Sequence, residues 1–282
     1  MRRLTLAGGC LLAVSACAPT PKDVETVEAL SEINCSVRPE NCAYENSPVK
    51  VVDRPITLPK RPYQFFPLAE PLRFTDARRK GWFAPPGTLT DGASIPKIFV
   101  AIVGSPTAPE YVNAAAIHDA YCGIGNEGGA NYHNGRWEDV HRMFYDALVA
   151  SGTRPQRAKI MFAAVWLGGP RWNVLYDLER LPVARKQQAM REAKSYVERY
   201  DPSLTALEQM LRRLEKRMIR EYPDLYPHQN PGDDDRPAIR HEASDEEYVY
   251  EEGVEEYYGE EYYPNDPATG GTVDLTGGNK GF

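Results

Sequence analysis

The chain predicts an α+β fold, with short strands first and helices after. Two changes along the sequence carry that prediction. Between residues 49 and 90, apolar residues come in bursts of two to five, broken by proline and glycine, the pattern of short, edge-like strands. From about residue 95 the apolar spacing becomes helical and stays so to about residue 220.

The strand-like bursts are 49–52, 56–58, 63–67, 72–74 and 82–83. An apolar segment follows at 95–103. Residues 111–122 are rich in alanine and contain His118. Residues 137–150 place apolar side chains at 140, 143, 144, 147 and 148, one stripe on a helix. Gly152 stands where a C-terminal cap belongs. A further helix is expected over 157–167, closed by Gly168-Gly169-Pro170, and a highly charged one over 183–200. Asp201 and Pro202 suit the cap and first turn of a last helix. On it, Leu204, Leu207, Leu211, Leu214 and Met218 stripe one face. That stripe suits packing on the body or a partner helix.

Charge divides the chain. From Asp233 onward there are 15 acidic and three basic residues, so this arm carries −12 and residues 1–232 carry +5 of a total of −7. The arm is interleaved with Tyr248, Tyr250, Tyr257, Tyr258, Tyr262 and Tyr263 and lacks aliphatic residues to build a core. It reads as disordered, a solvated tail or an arm for a basic partner. There is no phosphate-binding glycine loop and no dinucleotide fingerprint, and nothing points to nucleic acid.

The N-terminus opens with Arg2 and Arg3, then an apolar run from residue 4 to 16 that is too short to span a bilayer. It ends Val14-Ser15-Ala16-Cys17. That ending resembles the lipobox cut by the lipoprotein signal peptidase, which implies cleavage before Cys17 and lipid on its thiol. Ala18 follows, with no aspartate there, and by resemblance to envelope lipoproteins this favours the periplasmic face of the outer membrane. Such chains anchor a protein without spanning. Outside the cytosol, Cys35 and Cys42 are spaced for a disulfide in a loop containing proline and asparagine. Cys122 would then be unpaired. The expected organisation is a signal over 1–16, a tether over 17–48, a globular domain over 49–180, a helical extension over 181–230 and the acidic tail over 231–282.

Residues able to carry chemistry fall in three clusters: Thr90-Asp91-Gly92-Ala93-Ser94-Ile95-Pro96, Ala114-Ala115-Ala116-Ile117-His118-Asp119-Ala120-Tyr121-Cys122, and Trp137-Glu138-Asp139-Val140-His141-Arg142-Met143-Phe144-Tyr145. With Gly169-Pro170-Arg171-Trp172, these motifs occur in the order of the domain of unknown function 1353 family of bacteria and phages, which the chain resembles over about residues 50–172. That family has no settled activity. A second resemblance, by motif order, is to prokaryotic phospholipase A2: an Asp-Gly loop, a helix with His-Asp, then a helix carrying Asp followed by Phe. It implies that His118 is the general base activating water and that Asp139 orients the imidazole. It also implies that Asp91, the loop at Gly92 and Asp119 hold calcium. The chemistry is coherent: ester hydrolysis needs a base near neutrality and a cation beside the developing oxyanion, and calcium takes carboxylate and carbonyl oxygens. The chain departs from that pattern at Cys122, which stands where those enzymes place tyrosine, and no disulfide can brace the helix near His118.

Other readings of the same residues are a transition-metal site from His118, Asp119, Asp139 and His141, and a Cys122/His118 nucleophile, which the C-terminal end of the helix disfavours. Two functional readings follow. One is a membrane-anchored, calcium-assisted His/Asp hydrolase acting on an ester such as a phospholipid. The other is a non-catalytic envelope lipoprotein that binds a protein partner through its C-terminal helices and acidic tail. Exposure decides between them: a cleft at His118 favours the enzyme, and a His118 sealed in apolar packing favours the binding protein.

Overall fold

A computed structural model describes residues 32–59, 61, 63–92, 95–104, 109–226 and 272–274. The signal, Cys17 and almost all of the acidic arm lie outside the described residues. Among those described, no helix is long and apolar enough to cross a membrane.

The architecture is α+β. The strands are β1 (Ala43–Glu45), β2 (Lys50–Val52), β3 (Ile56–Thr57), β4 (Gln64–Pro67), β5 (Leu72–Thr75), β6 (Gly81–Ala84), β7 (Leu89–Thr90) and β8 (Thr272–Asp274). They form antiparallel sheets in the orders β1-β5-β6, β2-β8 and β3-β4-β7. The strands hold two to four residues each because proline, glycine and charged residues interrupt every run. The pleat is legible in β5, where Leu72 and Phe74 are buried and Arg73 is exposed.

The helices are α1 (Val100–Val103), α2 (Pro109–Cys122), α3 (Trp137–Ala150), α4 (Pro155–Gly168), α5 (Val183–Tyr200) and α6 (Leu204–Glu221). Proline opens α2 and α4, where its missing N–H costs no hydrogen bond. Glu138 and Asp139 sit in the first turn of α3 and complement its dipole. Gly152, at φ +95°, follows α3 in a conformation that glycine takes without strain. Helix α2 packs against β5, β6, β7 and α3, and α4 packs against α3, α5 and α6. The alanines at 114, 115 and 116 are buried and let these neighbours approach closely. Tyr145, Phe162 and Trp166 pack together where α3 meets α4.

Three boundaries differ from those expected. Residues 32–48 are part of the body: β1 pairs with β5, Cys35 is buried, and Cys35 and Cys42 form a disulfide with Cα atoms 5.9 Å apart. Second, the helical extension shares the core. Leu207, Leu211 and Met218 are fully buried, so the α6 stripe packs on the body and is not a free partner face. Third, Asp201 does not cap α6. It is the left-handed residue ending α5 and pairs with Lys159, while Ser203 caps α6 by accepting from the Ala206 N–H. Within the tail, Thr272–Asp274 adds to β2 as a strand.

Candidate functional site

Helix α2 carries His118, Asp119 and Cys122; α3 carries Asp139 and His141. The histidine pair is the centre of the arrangement. His118 Nε2 lies 3.0 Å from His141 Nδ1. Cys122, one turn after His118, places Sγ 3.4 Å from His118 Nε2. His118, Cys122 and His141 form a group whose ligand atoms all lie within 4.8 Å of one another, and all three residues are buried.

Their surroundings are aromatic and buried. The Phe144 ring lies 4.9 Å from that of His118 and the Trp137 ring 5.5 Å from that of His141. The backbone of Gly169 closes over the second imidazole; a Cβ there would approach His141 Nε2 to 3.2 Å. His118 is 3% exposed and His141 is wholly buried. Two surface depressions among the described residues lie elsewhere: one on α5 and α6 around Arg191 and Tyr196, the other around Tyr111 and Arg154.

Burial sets the protonation. It lowers His118 to a pKa of about 3. His141 is held well below the usual imidazole range by burial first, then by the neighbouring His118 and Arg171. The carbonyl of Pro170 faces His141 and slightly favours its charged form, yet Nε2 has no hydrogen bond of normal geometry. Both rings are therefore neutral near pH 7. Burial, then the negative charge of Asp119, raises the Cys122 thiol well above its usual value, which disfavours the thiolate.

The expected His118–Asp139 dyad is not formed. Asp139 is half-buried at the start of α3, and His118 is hydrogen-bonded to His141 instead. The loop residues do come to Asp119, through a residue the sequence reading did not single out for a role. The Thr90 hydroxyl donates to Asp119 Oδ2 at 2.7 Å and accepts from the Gly92 N–H at 3.0 Å. Asn126 locks the corner: its Oδ1 accepts from the Leu89 N–H, and its Nδ2 donates to the Leu89 and Asp119 carbonyls. Gly92, at φ +73°, makes the turn that brings Asp91 round. Lys97 feels the charge of Asp91, and its ammonium stands over the Tyr63 ring. Asp91 thus already has a cation in its field. Ala93 and Ser94 lie outside the described residues.

Comparison with known proteins agrees with the first resemblance. Residues 66–165 match the family model described as Protein of unknown function (DUF1353). The match covers both helices of the site and the Asp91 loop. The chain is 41% identical over 107 residues to the uncharacterized protein y4iH of Sinorhizobium fredii, covering 38% of this chain and 41% of that protein. It is 35% identical over 113 residues to y4jT of the same organism, also named as uncharacterized, covering 40% of this chain and 31% of that protein. The chain thus spans well under half the length of these relatives. No solved structure matches it.

Proposed function

We propose that this chain is a lipid-anchored envelope protein that binds a partner and does not hydrolyse esters at His118. In this reading residues 1–16 direct export, and lipid on Cys17 holds the protein at the periplasmic face of the outer membrane. The acidic, tyrosine-rich arm beyond residue 231 engages a basic protein surface.

The observation that carries the reading is the sealing of His118 against His141. A general base must reach water and a substrate carbonyl within hydrogen-bond distance. His118 is 3% exposed and is walled by Phe144 and the second imidazole. A carboxylate partner would stabilise the imidazolium formed during proton transfer; a neutral imidazole does so far less well. A base whose conjugate acid has a pKa of about 3 is also poorly matched to neutral pH.

Charge supports this choice of partner surface. The apolar stripe of α6 is consumed in the core, which leaves electrostatics. The arm's net charge of −12 supports attraction to a cationic surface that weakens as salt rises.

The test has three arms. Replacing Cys17 by Ser should move the protein from the membrane fraction to the soluble one. Deleting residues 233–271, which leaves β8 in place, should abolish salt-sensitive binding to an oligolysine peptide. The intact chain with calcium should release no more fatty acid from phosphatidylglycerol vesicles than His118→Asn does. Turnover that His118→Asn eliminates would overturn the proposal and restore the esterase.

A further inference from the structure

We propose that His118, Cys122 and His141 are ligands of a borderline-soft divalent cation of the zinc class, held between α2 and α3. This inference is independent of the partner-binding role.

The geometry comes first. Positions 118 and 122 share one helix face, so the imidazole and the thiol stand one above the other. His141 projects from the facing helix to complete a triangle. Zinc bonds of about 2.0–2.1 Å to nitrogen and about 2.3 Å to sulfur, at tetrahedral angles, put ligand atoms roughly 3.3–3.6 Å apart. The observed separations are 3.0 Å between the nitrogens and 3.4 Å from sulfur to nitrogen. These two sides lie within a few tenths of an ångström of the zinc-bound distances, and all three ligand atoms lie within 4.8 Å of one another.

The donor set selects the ion. Two imidazoles and a thiolate suit zinc and its neighbours, while calcium and magnesium require oxygen ligands. Among the described residues no carboxylate joins the triangle. Asp119 lies close enough to act on Cys122 electrostatically while its carboxylate is held by Thr90. The charges then balance: a dication, one thiolate and one nearby carboxylate sum to zero, which a buried site requires.

The protons balance as well. Cys122 loses its thiol proton to solvent as the metal–sulfur bond forms. The proton shared between His118 Nε2 and His141 Nδ1 must leave that contact, because both nitrogens turn their lone pairs to the ion. His118 then carries its proton on Nδ1 and His141 on Nε2. The latter nitrogen is buried and without a hydrogen bond, and it faces the Pro170 carbonyl. Metal binding at Nδ1 fixes the proton on Nε2, where the Pro170 carbonyl can accept it, as the other ring nitrogen of a ligating histidine ordinarily requires.

The chain also departs from the phospholipase pattern at two positions of this centre. Cys122 stands where those enzymes place tyrosine, and His141 faces His118 where a carboxylate would be needed. Both substitutions supply a nitrogen or sulfur ligand to the same centre.

The test uses the full chain, purified from membranes in detergent, under reducing conditions and without chelator. Metal analysis should find about one zinc per chain. Cobalt(II) uptake should produce a thiolate-to-cobalt charge-transfer band. Cys122→Ser should lose that band, and His141→Gln should weaken zinc binding by more than about 100-fold in chelator competition. Asp139→Asn should match the parent in both. A folded parent chain that takes up neither zinc nor cobalt overturns the proposal, as does binding confined to calcium. Because the charge-transfer band is read on the unsubstituted chain, misfolding of a variant does not decide the outcome.

Discussion

Asp146 gives the sharpest physical test of how the N-terminal segment is held. It is 2% exposed, and its Oδ1 accepts the Cys35 N–H at 2.7 Å, which docks the disulfide loop onto α3. Burial raises its pKa from 3.8 to about 7; the Cys35 N–H and Arg142 oppose the rise, and Asp76 adds to it. The folded state therefore binds a proton more tightly than the unfolded state. The contribution is greatest below the unfolded pKa and is lost as pH rises through about 7. At about 1.4 kcal/mol per pKa unit, this group removes about 2–3 kcal/mol of stability between pH 5 and pH 8. Asp146→Asn keeps an acceptor for the Cys35 N–H and cannot ionise. Urea unfolding of the chain with Cys17→Ser, followed by tryptophan fluorescence at pH 5 and pH 8, measures both proteins. His118 and His141 titrate in the opposite sense, because their lowered pKa values make stability fall as pH drops below about 6.5. That effect is common to the two proteins and cancels in their difference. The expected result is a gap in favour of Asp146→Asn that widens by about 2–3 kcal/mol from pH 5 to pH 8. A gap that stays constant would refute the placement of an ionisable carboxylate in that contact.

Further outcomes follow from the packing. Leu211→Ala should cost about 2–5 kcal/mol, because the side chain is fully buried between α6 and the body, and the loss is readable in the same urea midpoint. Asn126→Ala should cost about 2–4 kcal/mol, because three buried hydrogen bonds end on that amide; hydrogen exchange at the Leu89 amide should speed up. Asp139→Asn should change stability by less than about 1 kcal/mol, the share of a helix-dipole contact, and urea midpoints equal within error would agree.

Much of the fold is legible in the sequence because local and tertiary preferences agree. The stripe at 140, 143, 144, 147 and 148 is buried on α3, as are its neighbours His141, Arg142, Tyr145 and Asp146, and the α6 leucines lie in the core. What local signals miss is what distant partners decide. β1 holds only Ala43-Tyr44-Glu45, and its strand exists because β5 lies beside it in register. β7 has only two residues, and Asn126, 37 positions from Leu89, supplies its end hydrogen bonds. Asp201 sits before a proline, where a cap residue belongs, yet Lys159 on α4 takes its carboxylate and the chain turns left-handed there. The 17–48 tether had no periodicity to reveal that Asp146, 111 residues on from Cys35, would anchor it.

The candidate site failed to be legible for a geometric reason. On α3, residues 139 and 141 are about 200° apart around the axis. They therefore flank opposite edges of the apolar stripe, and periodicity ranks them almost equally. Resemblance to a phospholipase favoured the carboxylate at 139. The structure turns the other edge toward α2, so His141 meets His118 and Asp139 stays at the half-exposed start of the helix. One signal did point the right way. Cys122 follows His118 by four residues, and with His141 within the next helix the sequence already held two imidazoles and a thiol able to meet on one helix pair. Their juxtaposition is worth more than the His118-Asp119 pair, because Asp119 turns to Thr90 and β7 while the three nitrogen and sulfur donors turn to each other.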